Sequence, residues 1–217
     1  MRVTATTQVA AAGVLTLSIT APPKGYKGVA ISLSVSWDSG SVGPFTGQVT
    51  WGDGTYDPIS TSSKSISKTH SYGAAGTYTI SVVVADNYTA AQGTGTASVQ
   101  IANPLTASLS VSPSSGNIPL SVTFTIGISN GYTPYTWTLD YGDGTSPGSG
   151  TAGGTNPHTY TKVGNYTATL TVTDALGAST VSKSKLSIGI EGVTIEPILN
   201  VLAPLVTGVV LVAVAQR

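Results

Sequence analysis

The side chains in this sequence that could perform acid–base or metal chemistry are few, and they recur in pairs. Its two histidines, His70 and His158, each stand two residues before a tyrosine, and each follows a Gly-Asp-Gly-Thr segment, at residues 52–55 and 142–145. A histidine can transfer protons or bind a metal ion. Because both histidines occupy equivalent places in a repeat, each near a tyrosine, we interpret them as corner residues of a repeated fold.

Other apparent chemical signals have simpler explanations. Residues 144–148 match Gly-x-Ser-x-Gly, but a nucleophile elbow needs a helix after the serine, and Pro147 follows Ser146 instead. Carboxylate oxygens suit calcium, and four aspartates near the two segments could supply them: Asp53, Asp57, Asp140 and Asp143. Their spacing fits no EF-hand loop, and turn formation explains the aspartate of each Gly-Asp-Gly. The sequence therefore predicts no enzyme activity, no cofactor and no metal site.

Composition narrows the class of protein further. Charged residues make up 8% of the 217 residues, with 9 basic against 9 acidic and the basic ones scattered, so we expect no nucleic-acid partner. There is no cysteine, and therefore no disulfide. Hydrophobic residues still reach 40%, which favours folded, turn-rich β structure over disorder.

An internal repeat organises most of the chain. Trp51-Gly52-Asp53-Gly54-Thr55 returns 90 residues later as Tyr141-Gly142-Asp143-Gly144-Thr145. Three further elements return 88 residues later: His70-Ser71-Tyr72 as His158-Thr159-Tyr160, Gly76-Thr77-Tyr78 as Gly164-Asn165-Tyr166, and Asp86 as Asp174. Such regular offsets indicate two copies of one module.

Each copy has the alternation expected of half-buried strands. Residues 29–35, 78–82, 120–126 and 166–172 alternate apolar or aromatic residues with small polar ones at period two, and no segment of the modules has a convincing helical period. Turn residues come every 8 to 15 residues. The predicted fold is all-β: two tandem Ig-like β-sandwiches. The predicted boundaries are an N-terminal extension at 1–12, module 1 at 13–103, module 2 at 104–190 and a C-terminal segment at 191–217.

These motifs resemble the PKD (polycystic-kidney-disease) domain family, whose signature is W-x-F-G-D-G-T followed by H-x-Y and G-x-Y. Module 2 matches nearly throughout, from Trp137, whereas module 1 lacks that upstream tryptophan, and Trp37 is a candidate to fill its space. The resemblance implies a non-catalytic extracellular spacer, adhesion or assembly module. The residues that carry it are Trp51, Gly52, Asp53, Gly54, His70, Tyr72, Tyr78, Trp137, Tyr141, Gly142, Asp143, Gly144, His158, Tyr160 and Tyr166.

The C-terminal segment is strongly apolar. Residues 197–215 contain no ionisable side chain, and as a helix they would span about 28 Å, close to the thickness of a bilayer core. We expect a helical anchor in or against a membrane, with Arg217 on the inner side. Pro204, Gly208 and the β-branched run at 209–214 leave two alternatives: a strand donated to a neighbouring subunit, or an assembly helix.

Display outside a cell would normally require an export signal, yet residues 3–8 are too polar for a confident signal-peptide core. Either the C-terminal segment directs its own insertion, or the protein assembles inside a cell onto a virus particle that contains a membrane. The predicted function is a structural subunit of a repeated surface assembly, such as an archaeal virus turret or spike, or a cell-envelope element.

The alternative is an adhesin or carbohydrate-binding module, in which tyrosines on exposed loops would stack on sugars. The candidates are Tyr26, Tyr56, Tyr88 and Tyr132. Two Asn-x-Thr triplets are candidate glycosylation sites, at Asn87 and Asn165. Asn87 is expected in a loop and is the better candidate, while Asn165 is expected in a turn.

Overall fold

The computed structural model describes residues 13–38 and 42–191, and over these ranges every regular element is a β-strand. The chain divides into two compact units, residues 1–104 and 105–217. The all-β prediction is therefore confirmed. The apolar segment at 197–215, predicted to be helical, lies outside the described residues.

Unit 1 is a sandwich of two sheets, in which β3 forms the centre of a three-stranded sheet (order β1-β3-β6) and β7 and β8 lie inside a five-stranded sheet (order β2-β8-β7-β4-β5). All pairs are antiparallel except the short β2–β8 pair. The strands are β1 (Leu17–Thr20), β2 (Lys24–Tyr26), β3 (Ala30–Trp37), β4 (Phe45–Thr50), β5 (Tyr56–Thr61), β6 (Ser65–Ser71), β7 (Gly76–Asp86) and β8 (Gln92–Ala102).

Unit 2 repeats this topology strand for strand, with sheets ordered β14-β11-β9 and β10-β16-β15-β12-β13. Its strands are β9 (Thr106–Ser112), β10 (Ser115–Asn117), β11 (Leu120–Ser129), β12 (Thr136–Asp140), β13 (Gly148–Gly150), β14 (Gly154–Tyr160), β15 (Gly164–Thr173) and β16 (Ser179–Gly189). The two-copy prediction thus corresponds to two sandwiches built on one plan.

The alternation seen in the sequence places one face of each central strand in the core. In β3 the buried residues are Ile31, Leu33, Val35 and Trp37, and the serines between them are exposed. In β11 the buried residues are Val122, Phe124 and Ile126, again between exposed hydroxyl residues. Each fully buried large aliphatic or aromatic side chain stabilises the fold by roughly 1.5–3 kcal/mol relative to exposure, so these rows hold the two sheets together.

Trp137, which has no tryptophan counterpart in module 1, packs over a glycine on the neighbouring strand. Trp137 pairs with Gly150, where a Cβ atom would lie 2.6 Å from the indole ring. The equivalent strand position in module 1 is Gly47, which pairs with the larger Ile59 and whose backbone lies against that of β7. Trp37 comes from the opposite sheet and packs edge-on against Phe45, with ring centroids 5.1 Å apart.

Two edge strands carry residues that oppose pairing with another chain. Lys68 lies on the inward face of β6, opposite Leu33, and is half-buried, while Pro157 lies within β14 and has no amide hydrogen to donate. Inward-pointing charges and prolines on edge strands are common means of preventing edge-to-edge strand pairing between molecules. Because charged residues make up only 8% of the sequence, few other charges are present to oppose such pairing.

Candidate functional site

The predicted motif residues meet in one corner cluster per module, where the turn after β4 or β12 contacts the opposite sheet. In module 1 the cluster comprises Trp51, Asp53, His70, Tyr72 and Tyr78. These residues are far apart in the sequence. Strand β6 and the residue after it bring His70 and Tyr72 beneath the turn, and β7 supplies Tyr78. The cluster therefore joins the two sheets of the sandwich at one end.

Four rings form a continuous series in this cluster. Trp51 stacks on His70 at a centroid distance of 4.6 Å, His70 meets Tyr72 edge-on at 4.7 Å, and Tyr72 stacks on Tyr78 at 4.1 Å. Trp51 and Tyr72 are essentially fully buried. Aromatic pairs of this kind contribute about 0.5–1.5 kcal/mol each beyond the burial of their area, so the series fixes the corner.

Asp53 joins the turn to the opposite sheet. Its Oδ1 accepts hydrogen bonds from the amide and the hydroxyl of Thr55, at 3.0 and 2.6 Å, and its Oδ2 lies 2.7 Å from His70 Nε2. Burial disfavours the charged carboxylate, but the bonds from Thr55 and His70 outweigh it and lower the pKa of Asp53 from 3.8 to about 2. Asp53 thus remains ionised well into the acidic range.

The tyrosine hydroxyls complete the cluster with backbone bonds. Tyr72 donates to the carbonyl oxygen of Trp51 at 3.0 Å, and Tyr78 donates to that of Ala74 at 3.0 Å. Burial, with smaller contributions from the Asp53 charge and from Tyr78, raises the pKa of Tyr72 to about 12. Its hydroxyl therefore stays protonated and remains a donor.

Module 2 repeats this geometry with one ring exchanged. Tyr141 takes the place of Trp51 and stacks on His158 with ring centroids 3.8 Å apart, and His158 Nε2 lies 2.7 Å from Asp143 Oδ2. Tyr160 donates to the Tyr141 carbonyl oxygen at 2.9 Å, and Tyr166 donates to that of Lys162 at 2.9 Å. Burial opposes ionisation of Asp143, but bonds from Thr145 and His158 lower its pKa as in module 1.

The corner clusters are not arranged for nucleophilic catalysis. In module 1 the Thr55 hydroxyl donates to Asp53, and the Tyr72 hydroxyl donates to the Trp51 carbonyl oxygen, so neither is bonded to His70. A nucleophile and its base must instead be hydrogen-bonded to each other. The polar groups of the cluster are used to hold the turn and the two sheets together.

The four aspartates considered as calcium ligands are engaged in local bonds. Asp57 accepts from the indole nitrogen of Trp51 at 3.0 Å, and Asp140 accepts from the amide of Gly142 at 2.8 Å. The other two are the corner aspartates, Asp53 and Asp143. Within residues 13–38 and 42–191, no three His, Cys, Asp or Glu side chains converge in a way that could hold a metal ion.

The sequence indicated Asp86 and Asp174 only as landmarks, but they are the two buried carboxylates of the described chain. Asp86 accepts from the amides of Val42, Tyr88 and Thr89, and thereby joins the β3–β4 loop to the β7–β8 turn. Asp174 likewise accepts from three backbone amides on two loops, those of Tyr132, Leu176 and Ala178. The sequence did offer a signal for their burial, since each aspartate stands at the end of an apolar strand. A carboxylate buried there needs several hydrogen-bond donors.

The tyrosines and asparagines proposed for sugar chemistry occupy different environments. Tyr56 and Tyr88 are 64% and 79% exposed, and Tyr26 is half-buried. The expectation that Tyr132 is exposed is wrong, since only 6% of its surface is accessible once Asp174 holds its loop against the module. Asn87 lies exposed in the turn after β7.

The expected turn at Asn165 is also wrong. This residue is the second of β15 and pairs with Ser187, because the strand begins at Gly164 rather than after Tyr166. Its side chain is nevertheless exposed and lines a groove of about 570 Å³ on module 2. A strand position hinders access of a modifying enzyme to the backbone more than a turn does.

The low pKa of Asp53 predicts how the stability of module 1 depends on pH. Because the pKa is depressed in the folded state, this carboxylate contributes stability above about pH 4, and the contribution is lost as the pH falls through about 2. We expect wild-type protein to unfold at a higher denaturant concentration than Asp53→Asn at pH 7, and the difference to close by about pH 2. Guanidinium titrations at pH 7, 4, 3 and 2 would measure this difference, and a gap that did not change with pH would contradict the assignment.

Comparison with known protein families gives a match in the second module. Residues 106–188 match the family model of the PKD domain. This match confirms the resemblance on the module that carries the full signature. No curated protein matches the chain.

Solved structures that are similar come from several sources. The PKD domain of an M14-like peptidase from a Thermoplasmatales archaeon is 20% identical, with a TM-score of 0.34, over 39% of this chain and 91% of its own. Fibronectin(III)-like modules of CbhA from Clostridium thermocellum are 16% identical, with a TM-score of 0.40, over 81% and 94%. The mouse nectin-like molecule 4 ectodomain is 11% identical, with a TM-score of 0.37, over 83% and 66%. At these values the likenesses carry no argument about partners or activity.

Proposed function

We propose that this protein, whose second module is a PKD domain, is a non-catalytic structural subunit of a surface assembly. It displays its two sandwiches from a membrane or shell, in repeated copies, as in an archaeal virus turret or spike or a cell-envelope element. Domains of the PKD and Ig-like types are typical of extracellular structural or adhesion modules. The observation that carries the proposal is the duplicated corner cluster, in which the histidine–aspartate pair of each module is bonded within the module.

Attachment is assigned to residues 197–215, on their composition. This stretch lacks ionisable side chains and is long enough as a helix to match a bilayer core. It lies outside the described residues, and within them no helix has the length and apolarity to cross a membrane. The segment would fix the modules in place either through lipid or through packing on a neighbouring subunit.

Immunogold electron microscopy of the source culture tests the proposal, with antibody raised against residues 14–192. Label concentrated on discrete particles, at vertices or ends, is expected for a virion component. Uniform label on cells would instead support the cell-envelope form of the same proposal. Recovery of the protein only as a soluble monomer in the culture fluid would overturn both forms.

A second function, adhesion through carbohydrate, is favoured by one observation. Tyr56 and Tyr88 present most of their rings to solvent, although burial of aromatic rings is strongly favourable. Single exposed rings are common, but a ring on a rigid support is suited to binding because little conformational entropy is lost on contact. Tyr88 meets this condition, because the Asp86 carboxylate bonds its backbone amide and that of Thr89.

A further inference from the structure

Hydrogen bonds to Asp86 fix the backbone of the turn between β7 and β8, which carries Tyr88. The Asp86 carboxylate accepts the amide of Tyr88 at 2.8 Å and that of Thr89 at 3.2 Å. Asp86 also donates its own amide to Ala91 across the turn, at 2.8 Å. The backbone of the turn is therefore fixed on both sides of Tyr88, whose side chain is 79% exposed.

A polar group beside the ring is fixed as well. The side-chain oxygen of Asn87 accepts a hydrogen bond from the Thr46 hydroxyl at 2.7 Å. The backbone N–H of Asn87 donates to the carbonyl oxygen of Pro44 at 3.0 Å. The side-chain oxygen of Asn87 is thereby fixed, and its NH₂ group, on the residue directly before Tyr88 in the chain, can act as a donor. Val42 lies on the neighbouring loop, held by the same Asp86 carboxylate, and is 67% exposed.

Module 2 has the same scaffold without these groups. Asp174 holds the β15–β16 turn as Asp86 holds its counterpart, but the residue that corresponds to Tyr88 is Leu176, and Ala175 corresponds to Asn87. On the facing loop, Tyr132 corresponds to Val42 and is buried. The fold therefore does not require an exposed aromatic ring or an amide at this turn.

The turn also lies at the end of module 1 away from the second module's linker. Strand β8 begins at Gln92, directly after the turn, and runs to Ala102 at the opposite end of the sandwich, from which the chain continues to residue 104. Loops on a rigid scaffold are frequent positions for binding residues.

We infer that Asn87 and Tyr88 form a binding site for a neutral glycan. The ring of Tyr88 offers its face to the C–H side of a pyranose, the Asn87 NH₂ donates to a sugar hydroxyl, and Val42 adds apolar contact beside them. The turn itself carries no ionisable group besides the Tyr88 phenol and the buried Asp86, which suits an uncharged ligand better than an anionic one. The site belongs to module 1 and rests on the carbohydrate-binding function proposed above, but not on where the protein is displayed.

Affinity electrophoresis of the full chain in mild detergent tests this inference, with protein made in a host that does not N-glycosylate. Mannan, galactan, soluble starch and hydroxyethylcellulose serve as neutral probes, and dextran sulfate as the anionic control. We expect at least one neutral polysaccharide to retard the wild-type chain, and Tyr88→Leu, which copies the module 2 residue, to weaken that binding about tenfold or more.

Two control variants make the result specific. Leu176→Ala changes the equivalent exposed position of module 2 and should bind as the wild type does, while Asn87→Ala should weaken binding less than Tyr88→Leu. Because Tyr88 is mostly exposed, its replacement should leave the thermal unfolding temperature unchanged. If no neutral polysaccharide retards the wild type, or if Tyr88→Leu binds as tightly as the wild type, the inference is wrong. Neither outcome would alter the immunogold result expected of a surface subunit.

Discussion

Replacement of Asp174 by alanine is expected to destabilise module 2 by about 3 kcal/mol or more. The change removes a buried carboxylate that accepts from the amides of Tyr132, Leu176 and Ala178, at 2.9, 3.0 and 3.1 Å. A methyl group accepts no hydrogen bond, so three bonds to a charged group are lost, each worth about 1.5–3 kcal/mol, and the buried Tyr132 amide is left without this partner. For a domain of this size, such a loss should lower the unfolding temperature by more than about 10 °C.

Differential scanning calorimetry of the full chain would measure this effect. Asp140→Ala is the matched control, because Asp140 is an exposed aspartate of the same module that accepts from one backbone amide, that of Gly142. We expect it to cost less than about 1 kcal/mol. The equivalent change in module 1, Asp86→Ala, should act in the same direction. Equal effects of Asp174→Ala and Asp140→Ala would show that burial and multiple donors do not determine the role of Asp174.

The strands of both modules were predictable because one physical signal determines them. A strand that is buried on one side needs an apolar residue at every second position, and the alternation at 29–35 and 120–126 falls within β3 and β11 apart from Val29. The turn signals were also local, since Asp53 and Asp143 bond the amide two residues ahead. Local rules and the repeat together were sufficient for the fold class.

The contacts that join distant segments were not predictable in the same way. Tyr132 and Tyr88 are both tyrosines in turn-rich stretches, yet one is buried and the other exposed. Asp174, 42 residues away in the sequence, bonds the Tyr132 amide and holds its loop against the module, whereas Tyr88 is bonded by Asp86, two residues before it. For the same reason the sequence identified His70 and Asp53 as motif residues without revealing that they face each other across the two sheets. Such pairings require the tertiary structure.

The two glycines of the Gly-Asp-Gly turn are expected to differ sharply in their tolerance of alanine. Gly142 and Gly144 both have positive φ angles, of 80° and 81°. A Cβ atom on Gly142 would lie 2.6 Å from the carbonyl oxygen of Thr167 on β15, whereas one on Gly144 would meet nothing within 4 Å. Gly144→Ala should therefore cost only the strain of the left-handed backbone, about 1–2 kcal/mol. Gly142→Ala must also displace the turn from β15, for a total of about 3 kcal/mol or more.

Chemical denaturation followed by the fluorescence of Trp137, the tryptophan of module 2, would compare the two variants directly. The repeat supplies an independent test, because in module 1 a Cβ on Gly52 would lie 2.6 Å from the Thr79 carbonyl oxygen, while Gly54 is again open. Gly52→Ala should therefore be the more damaging change in module 1 as well. If the order were reversed in either module, close packing of the turn against the neighbouring strand could not be the reason for its first glycine. If the first glycine is the less tolerant of alanine in both modules, its role is to let the turn pack closely against the neighbouring strand. The second glycine then serves only the left-handed conformation of the turn.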